Sequence, residues 1–249
     1  MPTIAQRAKA LRFISPRDVG LFLRSARTDA EVARLRSSVG QQAAFDAVYA
    51  AGDPWASGDP RYLYQRVKYD VLGGLIPQRR YCHALDLGSG LGHFSRKLAG
   101  CADEVLALDI SSCAVEQATA LHRDLPNLRF QCGDVLTLPS TLDGRFDLIA
   151  VADTLYYLPP PIGDGLLKAV ATRLARLLRP GGVLLLANHF FFAADPDSRL
   201  SRRIHNAFVW SPSWRLLSEH RRPFYLVSLL APEHAVLPQD VGAGHGDDT

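Results

Sequence analysis

Hydrophobic and polar positions follow one pattern before about residue 80 and another after it. In 29–51 (DAEVARLRSSVGQQAAFDAVYAA) apolar residues recur every three to four positions, which predicts two helices, or one helix kinked at Gly40. The stretch 52–60 (GDPWASGDP) is turn-rich, and 61–72 (RYLYQRVKYDVL) has helical spacing that Gly73-Gly74 and Pro77 are expected to end.

From residue 82 short apolar runs alternate with helical stretches, the signature of βα units on a mostly parallel sheet. Strands are expected near 82–87, 104–109, 127–132, 145–151 and 182–188, with helices near 91–100, 112–123, 163–179 and 197–208. Two later apolar stretches, 214–220 and 224–230, could pair as an antiparallel edge, and 232–249 reads as a frayed tail. The fold class is α/β.

Composition narrows the function classes. With 249 residues, 47% hydrophobic and 21% charged, the chain fits one large domain with a full core. Its longest aliphatic run, Val183 to Ala187, is far shorter than the ~18 residues of a spanning helix. A net charge of +3 without a concentrated basic patch argues against nucleic acid. Cys82, Cys101, Cys113 and Cys132 show no metal-ligand spacing and are expected to be reduced, buried thiols, which points to a cytoplasmic protein. Residues 1–27 carry six basic side chains against Asp18 and no secretory apolar core. An amphipathic helical extension packed on the domain, or on a partner subunit in a homo-oligomer, is the favoured reading over a targeting peptide or membrane-surface helix.

The candidate chemistry centres on Ala84-Leu85-Asp86-Leu87-Gly88-Ser89-Gly90-Leu91-Gly92, an apolar strand running into a glycine loop and a helix. Glycines let the backbone turn tightly and a ligand approach closely, and a helix N-terminus offers N–H groups to an anion. The G-x-G-x-G spacing is not the G-x-G-x-x-G of a dinucleotide site, because the third glycine of that pattern falls on His93. Asp109 then ends the second strand, where a carboxylate can accept both hydroxyls of a ribose. Asp134 follows the third, where it can accept from an adenine amino group.

Loop, Asp109 and Gly133-Asp134, with FDLIAVADTLYYL and LLRPGGVLLLANH further on, resemble class I S-adenosylmethionine-dependent methyltransferases from about Tyr81 to Leu230. The resemblance implies a Rossmann-like, doubly wound, seven-stranded sheet with S-adenosyl-L-methionine as cofactor. It implies cofactor contacts from Asp86, Gly88, Ser89, Gly90, Gly92, Asp109, Ile110, Gly133, Asp134 and Val135. Upstream, Asp53-Pro54-Trp55 and Tyr64-Gln65-Arg66-Val67-Lys68-Tyr69 are similar to the D-P-W … Y-E-x-x-K-Y stretch of NodS-like methyltransferases, which N-methylate an amino sugar on a chito-oligosaccharide. Gln65 departs from that pattern. The expected organisation is a helical extension and cofactor lid over 1–78, a cofactor domain over 79–231 and a flexible tail over 232–249, with Trp55, Tyr64 and Arg66 reaching cofactor or acceptor.

The implied activity is methyl transfer to an amine or hydroxyl of a sugar-containing small molecule or oligosaccharide. A cofactor-binding scaffold without catalysis and an O-methyltransferase of a non-sugar product are the alternatives. His189, ending the fifth strand, and Asp153, after the fourth, are the candidate catalytic groups. Of Tyr156 and Tyr157, one is expected to wall the acceptor pocket and the other to pack inside. No carboxylate run supports a metal.

Overall fold

The computed structural model describes residues 15–190, 195–222 and 224–233. Among the described residues three helices precede the sheet: α1 (Pro16–Val39), α2 (Gln41–Ala50) and α3 (Leu63–Leu75). Then come β1 (Tyr81–Leu87), α4 (His93–Ala99), β2 (Ala102–Asp109), α5 (Ser112–Leu121), β3 (Leu128–Cys132) and β4 (Phe146–Ala152). The described chain ends with α6 (Asp164–Leu177), β5 (Leu178–Phe190), α7 (Pro196–Val209), β6 (Trp214–Arg222) and β7 (Phe224–Pro232). The sheet order is β3-β2-β1-β4-β5-β7-β6. β1 to β5 are parallel to one another, while β7 runs antiparallel between β5 and the edge strand β6.

Successive residues of the central strands feed two cores, as period-two side chains must. Ala84, Leu148, Ala150 and Leu185 pack on one face with Leu72 of α3 and Leu98 of α4. Leu85, Ile149, Val151 and Leu184 pack on the other with Leu167, Leu174 and Leu177 of α6 and Phe208 of α7. Both faces are covered, so the C-terminal edge of the parallel strands is where a crevice can open.

Several elements differ from the expectation. The helix expected to start near residue 29 begins at Pro16, because Asp18 closes its first turn: Asp18 Oδ2 accepts from Ser15 N and Oγ at 2.6 and 2.9 Å. Asp18 Oδ1 also accepts from Tyr64 N at 3.2 Å, and Leu21 and Val32 are buried, so this segment packs on the domain. Residues 1–14 and most of the expected tail lie outside the described residues. α3 runs through Gly73 and Gly74 and stops at the extended Ile76, where Pro77 restricts the preceding residue. The break at Gly40 is as expected, with φ 85°. Cys82 and Cys132 are exposed and Cys101 and Cys113 half-buried, which corrects the expectation of burial. Cys132 ends β3, an edge strand whose only buried residue is Phe130.

Candidate active site

The ends of β1, β2 and β4 and the three N-terminal helices enclose a crevice of about 490 Å³, within the ~300–1,000 Å³ of small-molecule sites. The glycine loop forms its floor. Gly88 has φ 72°, and a Cβ there would lie 2.2 Å from Thr154 Oγ1, so this position excludes any side chain. The N–H groups of Gly88 and Ser89 donate to Leu108 O at 2.8 and 3.0 Å, that of Gly90 to Asp109 Oδ2 at 2.8 Å, and that of Gly92 to Ser89 O at 2.9 Å. These four amides hold the loop to β2 and to itself, which corrects the expectation of free donors at Gly88, Ser89, Gly90 and Gly92.

Among the residues expected to bind cofactor, Gly88, Ser89, Gly90, Asp109, Ile110, Gly133, Asp134, Val135, Trp55 and Tyr64 all line the crevice. Both oxygens of Asp109 accept backbone hydrogens, from Gly90 N and from Ser111 N at 2.9 Å, and burial raises its carboxyl above the usual range. Asp134 caps a short 3-10 turn, Val135–Thr137, accepting from Leu136 N at 2.9 Å.

Three of the expected residues lie elsewhere. Asp86 is buried beneath the loop, where its Oδ2 accepts from Ser95 Oγ at 2.6 Å, and burial pushes its carboxyl up to about 7. Gly92 is the left-handed N-cap of α4, packed against Phe130. Arg66 lines a separate depression with Ser15, Arg17 and Arg61, because two residues along a helix from Tyr64 is the opposite face.

The helical face shared with Tyr64 carries Lys68 instead. Lys68 is 2% exposed, lines the crevice and pairs with Asp153, whose φ is 56°. Its ammonium also lies 5.8 Å from the ring centres of Tyr64 and Tyr225. The i, i+4 spacing of Tyr64 and Lys68 is the signal that could have found it.

Away from Asp109 the crevice is aromatic and acidic. Tyr156 and Tyr157 both line it, on a 3-10 turn over Leu155–Tyr157, so neither packs away inside as expected for one of them. The Tyr156 ring centre is 4.4 Å from that of His189. Asp29 of α1 was not anticipated: its Oδ1 accepts from Tyr157 OH at 2.6 Å and Trp55 Nε1 at 3.0 Å, and burial raises its carboxyl above the usual range. Asp197 also lines the crevice, from the first turn of α7. Among the described residues no three His, Cys, Asp or Glu side chains are placed to hold a metal, and no helix is long and apolar enough to cross a membrane.

A mixed sheet with this strand order, parallel except at β7, a glycine loop after β1 and an acid at the end of β2 define the class I S-adenosylmethionine-dependent methyltransferase fold. Residues 84–182 match the family described as a methyltransferase domain. The chain is 38% identical to trans-aconitate 2-methyltransferase of Deinococcus radiodurans over 47% of its length and 43% of that protein's. It is 29% identical to nodulation protein S of Rhizobium tropici over 63% of its length and 60% of that protein's, so it spans only part of either relative. Among solved structures it resembles the N-methyltransferase NodS from Bradyrhizobium japonicum WM9 in complex with S-adenosyl-L-homocysteine, with TM-score 0.65, 18% identity, and 78% of this chain and 98% of that one covered. The sequence likeness over residues 84–182 is to a methyltransferase domain, and the likeness to the solved structure is one of fold.

The residues present fit S-adenosylmethionine. An open glycine floor abuts Asp109, whose carboxylate has lone pairs to spare beyond its two backbone donors. Leu136 N occupies only one oxygen of Asp134, and Ser89 Oγ is buried with no hydrogen-bond partner.

Proposed function

We propose that the protein is an S-adenosylmethionine-dependent methyltransferase acting on an amine or hydroxyl of a sugar-containing small molecule or oligosaccharide. The observation that carries this reading is the continuity of one crevice from Asp109 and Asp134 to His189, Asp153 and Tyr156, which joins a nucleoside site to a second, acceptor-sized space. S-adenosylmethionine supplies a methyl already activated on a sulfonium.

The chain's own work is then alignment, exclusion of water and removal of one proton. Asp109 and Asp134 would fix the nucleoside, while Gly88 and Gly90 would let it lie against the loop. Trp55, Tyr156 and Tyr157 would wall the acceptor. His189, its ring tilted against that of Tyr156 near the end of β5, would take the proton lost by nitrogen or oxygen, and Asp153, held by Lys68, would orient the nucleophile.

Charge favours a neutral or cationic acceptor. Among the described residues the crevice is lined by five carboxylates, Asp29, Asp109, Asp134, Asp153 and Asp197, and by no arginine, and its one lysine is paired. A polyanion such as trans-aconitate would meet repulsion there. The sugar part of the reading rests on the NodS-like stretch at 53–69, of which Trp55, Tyr64, Gln65, Lys68 and Tyr69 line the crevice.

A transfer screen tests the proposal. Methyl-labelled S-adenosylmethionine is incubated with the protein and either glucosamine-terminated chito-oligosaccharides or their hydroxyl-matched counterparts. Label in a sugar is the expected result, and label in neither set would overturn the sugar assignment.

A further inference from the structure

Tyr49, near the end of α2, is buried among aromatic rings, 5.6 Å from the ring centre of Trp55, and lines the crevice. Its backbone is fixed, since its carbonyl accepts from Gln117 Nε2 at 2.8 Å. The preceding turn is fixed too, by Asp46, which accepts from Ser111 Oγ at 2.7 Å and Cys113 N at 3.1 Å. Its phenol oxygen, by contrast, has no hydrogen-bond partner among the described residues. That oxygen hangs over the glycine loop: a Cβ on Gly90 would stand 2.7 Å from it. Gly90 in turn donates to Asp109 Oδ2, so phenol, glycine and carboxylate are neighbours.

A ribose facing Asp109 can give both hydroxyl hydrogens to the carboxylate, which only accepts. The ribose oxygens then have lone pairs that need a donor. The loop amides beside them are engaged with Leu108 and Asp109. Burial, and after it the charge of Asp109, hold the proton on the Tyr49 phenol well beyond the ordinary range, so the group is a neutral donor.

We infer that Tyr49 is a cofactor-binding residue whose phenol donates to the ribose of S-adenosylmethionine, completing the hydrogen bonding that Asp109 begins. The inference rests on the crevice being the S-adenosylmethionine site. It makes α2, outside the sheet domain, part of the nucleoside site.

The test is calorimetric titration of the wild type and Tyr49→Phe with S-adenosylhomocysteine and with 5′-methylthioadenosine, which lacks the amino-acid end. Phe keeps the ring and its packing, and an unchanged melting temperature checks this. The expected result is weaker binding of both ligands by the same factor, about three- to ten-fold for one neutral hydrogen bond. Equal affinity of variant and wild type would overturn the inference while leaving the site assignment standing. Loss for S-adenosylhomocysteine alone would place the phenol at the amino-acid end and overturn the ribose assignment. Failure of the wild type to bind S-adenosylhomocysteine would overturn the cofactor site itself, and the inference with it.

Discussion

Asp109→Asn is the substitution whose consequences the structure specifies most fully. The two carboxylate oxygens accept from Gly90 N at 2.8 Å and Ser111 N at 2.9 Å. An amide has one oxygen, so whichever way Asn turns, its NH2 meets one of these N–H groups. Leaving a buried backbone donor without an acceptor costs about 1–3 kcal/mol. Burial already raises the Asp109 carboxyl, and a neutral amide relieves part of that desolvation, so the stability loss should sit at the low end, about 1 kcal/mol. At roughly 2–4 °C per kcal/mol for a domain of this size, the melting temperature should fall by a few degrees. The ligand loses more. One ribose hydroxyl loses an ionised acceptor, worth about 1.5–3 kcal/mol, so the Kd for S-adenosylhomocysteine should rise about 10- to 150-fold. Titration calorimetry reads the affinity and a thermal melt reads the fold. An unchanged Kd in a folded variant would refute the ribose assignment.

Other substitutions probe the surroundings. Gly88→Ala puts a Cβ 2.2 Å from Thr154 Oγ1 at φ 72°, and should destabilise by about 2–4 kcal/mol in urea unfolding; a cost under ~1 kcal/mol would mean the loop is not so tightly fixed. Asp86 titrates near 7 in the folded chain and near 3.8 unfolded, so the folded state binds more protons between those values and stability falls as pH rises from about 4 to about 7. The loss is on the order of 3–4 kcal/mol, and Asp86→Asn should remove this component from melts taken across that range; superimposable wild-type and variant pH profiles would contradict it. Lys68→Met strands Asp153 beside the buried site and should cost about 2–4 kcal/mol, part of which Lys68→Met/Asp153→Asn recovers. Additive losses in the double variant would show that the two do not act as a pair.

The sheet and its loop were legible because their signals are local. Each parallel strand is an apolar run ending in a turn or an acid, and Asp109 and Asp134 fall at the strand ends that the register predicts. β6 and β7 also pair as an antiparallel edge, β7 between β5 and β6. What escaped depends on distant partners. Asp29 acquires its place only through Trp55, 26 residues on, and Tyr157, 128 residues on. Tyr49 reads as one more apolar position on a short helix until α2 is seen docked on α5 through Asp46. Arg66 and Lys68 were separable in principle, since Lys68 shares a helix face with Tyr64 and Arg66 does not. The passage of α3 through Gly73-Gly74 shows helix continuation by its neighbours overriding a weak local stop, with Pro77 supplying the effective one.

The central claim is that the crevice at the C-terminal edge of the sheet holds S-adenosylmethionine, and titration of the purified chain with S-adenosylhomocysteine tests it most directly. The account predicts one-to-one binding with a Kd on the order of micromolar or tighter, about 8 kcal/mol, abolished or strongly weakened in Asp109→Asn. No heat of binding from a folded wild-type protein at ligand concentrations of roughly a millimolar would contradict it.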